Sequence, residues 1–305
     1  MIALTIKALV PVVLLIALGY ALKRSMITTE RFWSEAERLS YHVLLPALFL
    51  HSLATADTGD LPVAALAGTL IASTVTVAVL VIAFRPMMRL KDDGFTSVFQ
   101  GSVRFNNYIG VTIAAGLYGT QGVATAAVCN AVIVPTVNVL CVLVFARFGS
   151  ARLRLAGIVK QLVTNPLILA CVGGVLLQAL DLRLPPGIEP ALQALGAASM
   201  PLGLLCIGAA LRFGAARSWA APILTSSSVK FALMPAATLL AAQMAGLGSH
   251  ALIIAVLFQA LPTASSSYIM ARQLGGDAPL MAGITAAQTL LGIAAVPFVL
   301  ALVSA

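Results

Sequence analysis

Apolar stretches long enough to cross a bilayer follow one another through almost all of the 305 residues, separated by short connections. Hydrophobic residues make up 60% of the chain and charged residues only 9%, whereas a soluble domain carries about a quarter charged residues. No soluble fold could bury so much apolar surface, so the bilayer must act as the solvent. Each spanning helix needs about 20 apolar residues. Spans are predicted near 4–22, 34–54, 62–84, 94–118, 122–146, 163–181, 188–212, 217–243, 249–273 and 278–303. These ten leave no room for a soluble domain. The first runs into Lys23-Arg24 without a small-x-small cleavage pattern, so it reads as a permanent span and not as a cleaved signal. The second opens on Ser34-Glu35-Ala36-Glu37, which reads as a capping box.

The net charge of +8 suggests nucleic acid until its placement is considered. The bases lie in short connections beside apolar runs. Lys23, Arg24, Arg31 and Arg38 mark the first connection, and Arg85, Arg89 and Lys91 the third. Arg147, Arg152, Arg154 and Lys160 mark the fifth, Arg212 and Arg217 the seventh, and Arg272 the ninth, while the even connections hold only Arg183. Basic connections stay in the cytoplasm, so both termini are expected outside a cytoplasmic membrane, with no nucleic-acid partner. The four cysteines sit singly inside apolar segments without a CxxC pair. They read as packing residues, and no metal or cofactor is expected.

Two spans are interrupted at matching places, at Asn106 to Gly110 in the fourth and at Leu261 to Ser265 in the ninth. Pro11 and Pro166, Gly19 and Gly174, and Pro46 and Pro201 share one offset of 155 residues, and the same offset carries Asn107 onto Pro262. An array of five spans reverses its orientation when repeated, so the halves read as inverted copies. The fourth span reaches its break after about 16 Å of helix, close to the middle of the membrane. Proline removes a backbone donor, and paired asparagines offer side-chain bonds that compete with the helix. Irregular backbone survives at that depth only when it is buried in protein or lines a wet cavity. Broken helices of this kind point to a substrate site, and their second halves turn positive N-terminal ends toward it. An anion suits that place, with Thr263, Ser265, Ser266 and Ser267 adding hydroxyls. Ordinary kinks eased by Ser and Thr are the plainer reading.

No Asp or Glu falls in the middle of a span, but Arg104 and Lys230 do. A base at that depth is costly and marks a functional position. Arg104 also stands where a cation would offset the C-terminal dipole of the first half-helix. Lys230 could instead snorkel or bond carbonyls. Asn130, Asn138 and Gln288 are uncharged polar groups in apolar surroundings. Asn130 and Gln288 could reach the crossing or simply bond between helices. His42 and His51 are read as bonded packing groups, and Pro135 and Pro297 as bends.

The run from Leu39 to Ala54 around Pro46, the segment opening Asn165-Pro166, and the run from Pro201 to Leu211 resemble the second, sixth and seventh helices of the auxin efflux carrier family. That family includes plant auxin exporters and bacterial malonate and malate permeases. The resemblance covers nearly the whole chain. It implies an all-α polytopic membrane protein with ten transmembrane helices in two inverted five-helix repeats and broken, crossing helices 4 and 9. It implies scaffold helices in 1–54 and 161–212, transport-unit helices in 55–160 and 213–305, and a homodimer through the scaffold. Substrate would bind at the crossing, on Asn106, Asn107, Gly110, Pro262 and Thr263. Many members carry a proline two residues after the glycine of the fourth helix, where this chain has Thr112.

The expectation is a secondary carrier for a small organic anion, a carboxylate, working by alternating access. Its substrate-binding residues would be Arg104, Asn106, Asn107, Gly110, Asn130, Pro262, Thr263, Ser265, Ser266, Gln288 and Lys230. The carboxylate would be held by Arg104, Asn107 and the N-termini at Gly110 and Ser265. One alternative is a sodium-coupled symporter with Asn130, Gln288 and Ser266 as ligands, and another is a membrane sensor. The absence of HExxH, GxSxG and an aspartate pair speaks against an enzyme.

Overall fold

A computed structural model of the chain describes residues 2–25, 29–55, 62–149, 163–182, 184–211, 220–264 and 266–303. Every regular element among them is a helix. In chain order, α1 is Ile2–Arg24. α2 runs through Glu30–Leu39, a π turn Ser40–Leu44, and Leu45–Thr55. α3 is Val63–Ala83, and a one-turn helix Arg85–Met88 follows it. α4a is Asp92–Val103. α4b covers 107–118 and α5 120–148, in one run of helix folded at Gly119. α6 is Pro166–Ala179 and α7 Ile188–Ala210. α8 runs through Ala220–Ser228, a π turn Val229–Leu233, and Met234–Met244. α9a is Ser249–Gln259, α9b Ser266–Leu274 and α10 Ala278–Val303. Five stretches are long and apolar enough to cross a membrane: Val63–Ala83, Asp92–Phe148, Ile188–Ala210, Ala220–Met244 and Ala278–Val303.

Local chemistry explains the ends. α2 begins at Glu30, capped by Thr29, whose Oγ1 accepts the Phe32 N–H at 3.2 Å. The expected capping box at Ser34 to Glu37 is therefore corrected: those residues lie one turn inside the helix. Its first stretch is amphipathic and buries Trp33 and Ala36. α6 starts on Asn165, whose Oδ1 accepts from Leu167 and Ile168 N–H at 3.0 and 3.3 Å, with Pro166 at the first helical position, where a missing N–H costs nothing. Each π turn ends two residues before a proline, Pro46 or Pro235. Widening the helix there accommodates the bond that proline cannot make. At Gly119 the backbone turns at φ 58°, ψ −137°, a conformation glycine adopts without penalty.

The helices pack in two sets. α1 lies along α7, and α2 lies between α6 and α7. α3 pairs with α8, α4a and α9a pack against α8 and α10, and α9b packs against α10 and α4a. Close approach in the first set depends on glycine. A methyl group at Gly19 would strike the Leu205 carbonyl, and one at Gly174 would lie 3.0 Å from the Leu50 carbonyl and 2.7 Å from the Leu53 Cβ. Small residues of this kind let membrane helices bring their backbones together, where dispersion forces hold them. The cysteines are free and buried.

Candidate site at the two helix breaks

The fourth span breaks at residues 104–106, two residues earlier than expected, and Asn107 is already helical. The ninth breaks between Gln259 and Ser266. The two breaks meet. A side chain at Gly110 would run into Leu261 and Phe258, and the Phe105 and Phe258 rings pack edge to face at 5.8 Å. Pro262 lies against Gly292 of α10. Nearly everything at the junction is buried: Phe105, Asn106, Phe258, Gln259, Leu261 and Thr263 are all under 5% exposed.

Arg104 is the C-cap of α4a, with extended backbone at φ −74°, ψ 159°. Its half-buried side chain reaches across to the other break. Nη1 donates to Asn138 Oδ1 of α5 at 2.9 Å and approaches the Met270 sulfur at 3.6 Å. Nη2 donates to Ser266 Oγ at 3.3 Å, at the start of α9b. No carboxylate among the described residues pairs with Arg104.

Lys230 sits on the α8 π turn, fully buried, with Nζ 3.5 Å from the Val103 carbonyl. Gln288 of α10 donates from Nε2 to the Gly101 carbonyl and to Ser226 Oγ, both at 3.0 Å, while its Oε1 accepts the Thr263 N–H at 3.0 Å. The last carbonyls of α4a are thus met by side chains from α8 and α10. A nearby ammonium and guanidinium also oppose the negative end of that half-helix. Both ends of the Gln288 amide are committed within the protein, so it stitches the break together and leaves no group for a ligand.

Asn106 and Gly110 differ from expectation. Asn106 is the N-cap of α4b: its Oδ1 accepts from Tyr108 and Ile109 N–H at 3.1 and 3.3 Å. The Gly110 N–H bonds the Asn106 carbonyl at 3.2 Å. The expected free N–H groups of this half-helix are therefore already engaged. The physical reason is that the helix restarts at Asn107, which places Gly110 a full turn inside it. Gly110 serves the close crossing instead. The Asn107 side chain is half-buried and finds no hydrogen-bond partner among the described residues. Thr112, which stands where many members of the resembled family carry a proline, bonds back to the Tyr108 carbonyl at 2.7 Å and leaves α4b unbroken.

Thr263 faces Ser267, Oγ to Oγ at 3.1 Å. Asn130 is fully buried, its Nδ2 bonds the Ala126 carbonyl of its own helix at 2.9 Å, and its Oδ1 has no partner. Ser265 lies outside the described residues, as do Arg152, Arg154, Lys160, Arg183, Arg212 and Arg217. The structure therefore brings Arg104, Asn106, Gly110, Pro262, Thr263, Ser266 and Gln288 to one junction, with Lys230 behind α4a. Of the residues considered for sodium, Gln288 and Ser266 are engaged by the bonds given above and Asn130 bonds its own helix. Asn138 and Met270 were missed as neighbours of Arg104. Asn138 lies eight residues after Asn130 on the same helix face, a spacing that could have flagged it. A cavity of about 20 Å³ separates the junction from α1, lined by Val12, Ile16, Ile109, Pro262, Gly292 and Ile293 among others. It has room for about one water and none for a carboxylate.

Residues 150–300 match a family model described as membrane transport protein. No curated protein matches the chain.

Proposed function

The chain belongs to the membrane transport protein family, and from that premise we propose that it is a secondary carrier for a small organic anion, a carboxylate held at the junction of the two breaks. The observation that carries this reading is Arg104: a half-buried guanidinium bonded, among the described residues, only to neutral groups, at the junction of the two broken helices. A charge there is stabilised by an acidic partner or by a ligand. An incoming carboxylate would take the remaining Arg104 donors and the free amide of Asn107. Lys230, behind the Val103 peptide, adds positive potential without touching the ligand. Asn106, Gly110, Pro262, Thr263 and Gln288 shape the junction.

The proposed architecture is ten helices in two inverted repeats. Reciprocal contacts support it: Gly19 of α1 meets Leu205 of α7, and Gly174 of α6 meets Leu50 of α2. Adding 155 to the first residue and subtracting it from the second converts one contact into the other. On this reading α1, α2, α6 and α7 form the scaffold, and the other helices form the unit that moves. The small cavity at α1 fits a closed state, from which the moving unit must part from α1 to admit substrate. A homodimer through the scaffold, and termini on the outer side of the cytoplasmic membrane, belong to the same proposal.

Counterflow in liposomes tests the function. Protein reconstituted with each of a panel of mono- and dicarboxylates inside should accumulate the same labelled anion from outside. Arg104→Gln should lower that flux at least tenfold. Full flux and unchanged apparent affinity in the variant would remove Arg104 from the site. Binding without accumulation in sealed vesicles would favour a sensor.

A further inference from the structure

Arg104 is held mainly at one corner. A guanidinium carries five N–H donors in a rigid planar fork, two on each Nη and one on Nε. Nη1 meets Asn138 Oδ1 at 2.9 Å and the Met270 sulfur at 3.6 Å. Nη2 makes a longer bond to Ser266 Oγ at 3.3 Å. No hydrogen bond from Nε is formed among the described residues. The shortest of the three bonds, to Asn138, therefore pins the Nη1 corner. The edge formed by Nε and Nη2 is left for another acceptor, and a carboxylate binds such an edge with two parallel bonds.

Asn138 lies on α5 and is half-buried. An ionised residue inside a membrane protein commonly pairs with an opposite charge. Here the position closest to the guanidinium holds an amide, which matches an aspartate in shape and lacks its charge. The difference has a consequence at this distance. An aspartate at 138 would bond Arg104 more strongly and cancel its charge. An amide oxygen directs the guanidinium without neutralising it. Ser266 is less suited to that work, because its bond is longer and falls on the Nη2 that an incoming carboxylate would share.

We propose that Asn138 is the positioning residue of the junction: it orients Arg104 and, by being neutral, keeps the charge of that arginine for an anion. Asn138 acts through Arg104 and does not itself touch the anion. The inference rests on the anion reading given above, and makes residue 138 the position that decides whether the junction accepts an anion at all.

The test has one arm without any organic anion and one with it, both on the full chain. Asn138→Asp places a carboxylate beside Nη1 and should raise the thermal midpoint of the purified protein in anion-free buffer. In an Arg104→Gln background the same substitution leaves that carboxylate unpaired and should lower the midpoint. Midpoints that move the same way in both backgrounds would overturn the proposal. In liposome counterflow the probe is the carboxylate of the panel that the parent carries fastest. Asn138→Asp should lose at least tenfold in flux although it is the more stable protein. Asn138→Ala should raise the apparent KM at least fivefold and change the maximal rate less. Asn138→Gln, which keeps an amide acceptor, should recover most of the lost affinity. Full flux in Asn138→Asp, or a parental KM in Asn138→Ala, would overturn the positioning role. If Arg104→Gln is inactive in that case, the anion site stands and only Asn138 is removed from it; an active Arg104→Gln removes the site itself.

Discussion

Asn106 and Arg104 are two residues apart and do opposite work at the same break. Arg104 closes the end of one half-helix with a positive charge, and Asn106 opens the next by accepting two of its first N–H groups. Replacing Asn106 with alanine should cost about 1 kcal/mol, the usual worth of such a cap, and serine should restore most of it. Equilibrium unfolding in detergent measures the difference. The presence of a break, and of a cation beside it, could be read from Arg104-Phe105-Asn106-Asn107 because charges and paired asparagines stand out in an apolar run. Which asparagine caps could not, because that depends on where the helix restarts. The asparagine that caps is unavailable to ligand, and the one beside it has no partner among the described residues.

At the scale of elements, interrupted helices need partners for the groups they expose, and α4a takes its partners from α8 and α10. Gln288 is the central stitch. Gln288→Leu would strand the Thr263 N–H, the Gly101 carbonyl and Ser226 Oγ in a buried place. The loss should be about 2–4 kcal/mol. Thr285→Val removes only a bond to its own helix and should cost much less. Thermal midpoints of the two variants, compared with the parent, test this ordering. The paired asparagines, Pro262 and the repeat offset located both broken segments but not this network. Its members lie on helices far apart in the chain, so no local pattern brings Gly101, Ser226, Thr263 and Gln288 together.

Over the whole molecule, the reciprocal glycine contacts give a prediction about packing. Gly19→Val and Gly174→Val should both disrupt folding, because each forces branched carbons into the backbone or side chains of the facing helix. Gly68→Val, on α3 with open space beside it, should be tolerated in packing terms. Yield of monodisperse protein separates the cases. In the proposed mechanism the scaffold parts from the moving helices at the crossing, and the four buried native cysteines leave a quiet background in which to watch it. The decisive measurement places a cysteine at Asn107 and adds a membrane-impermeant maleimide to one face or the other of oriented vesicles. The account predicts labelling from either face, slowed in both cases by the carboxylate that the protein carries. A cysteine that reacts from one face only, or at a rate the carried anion does not change, would contradict it.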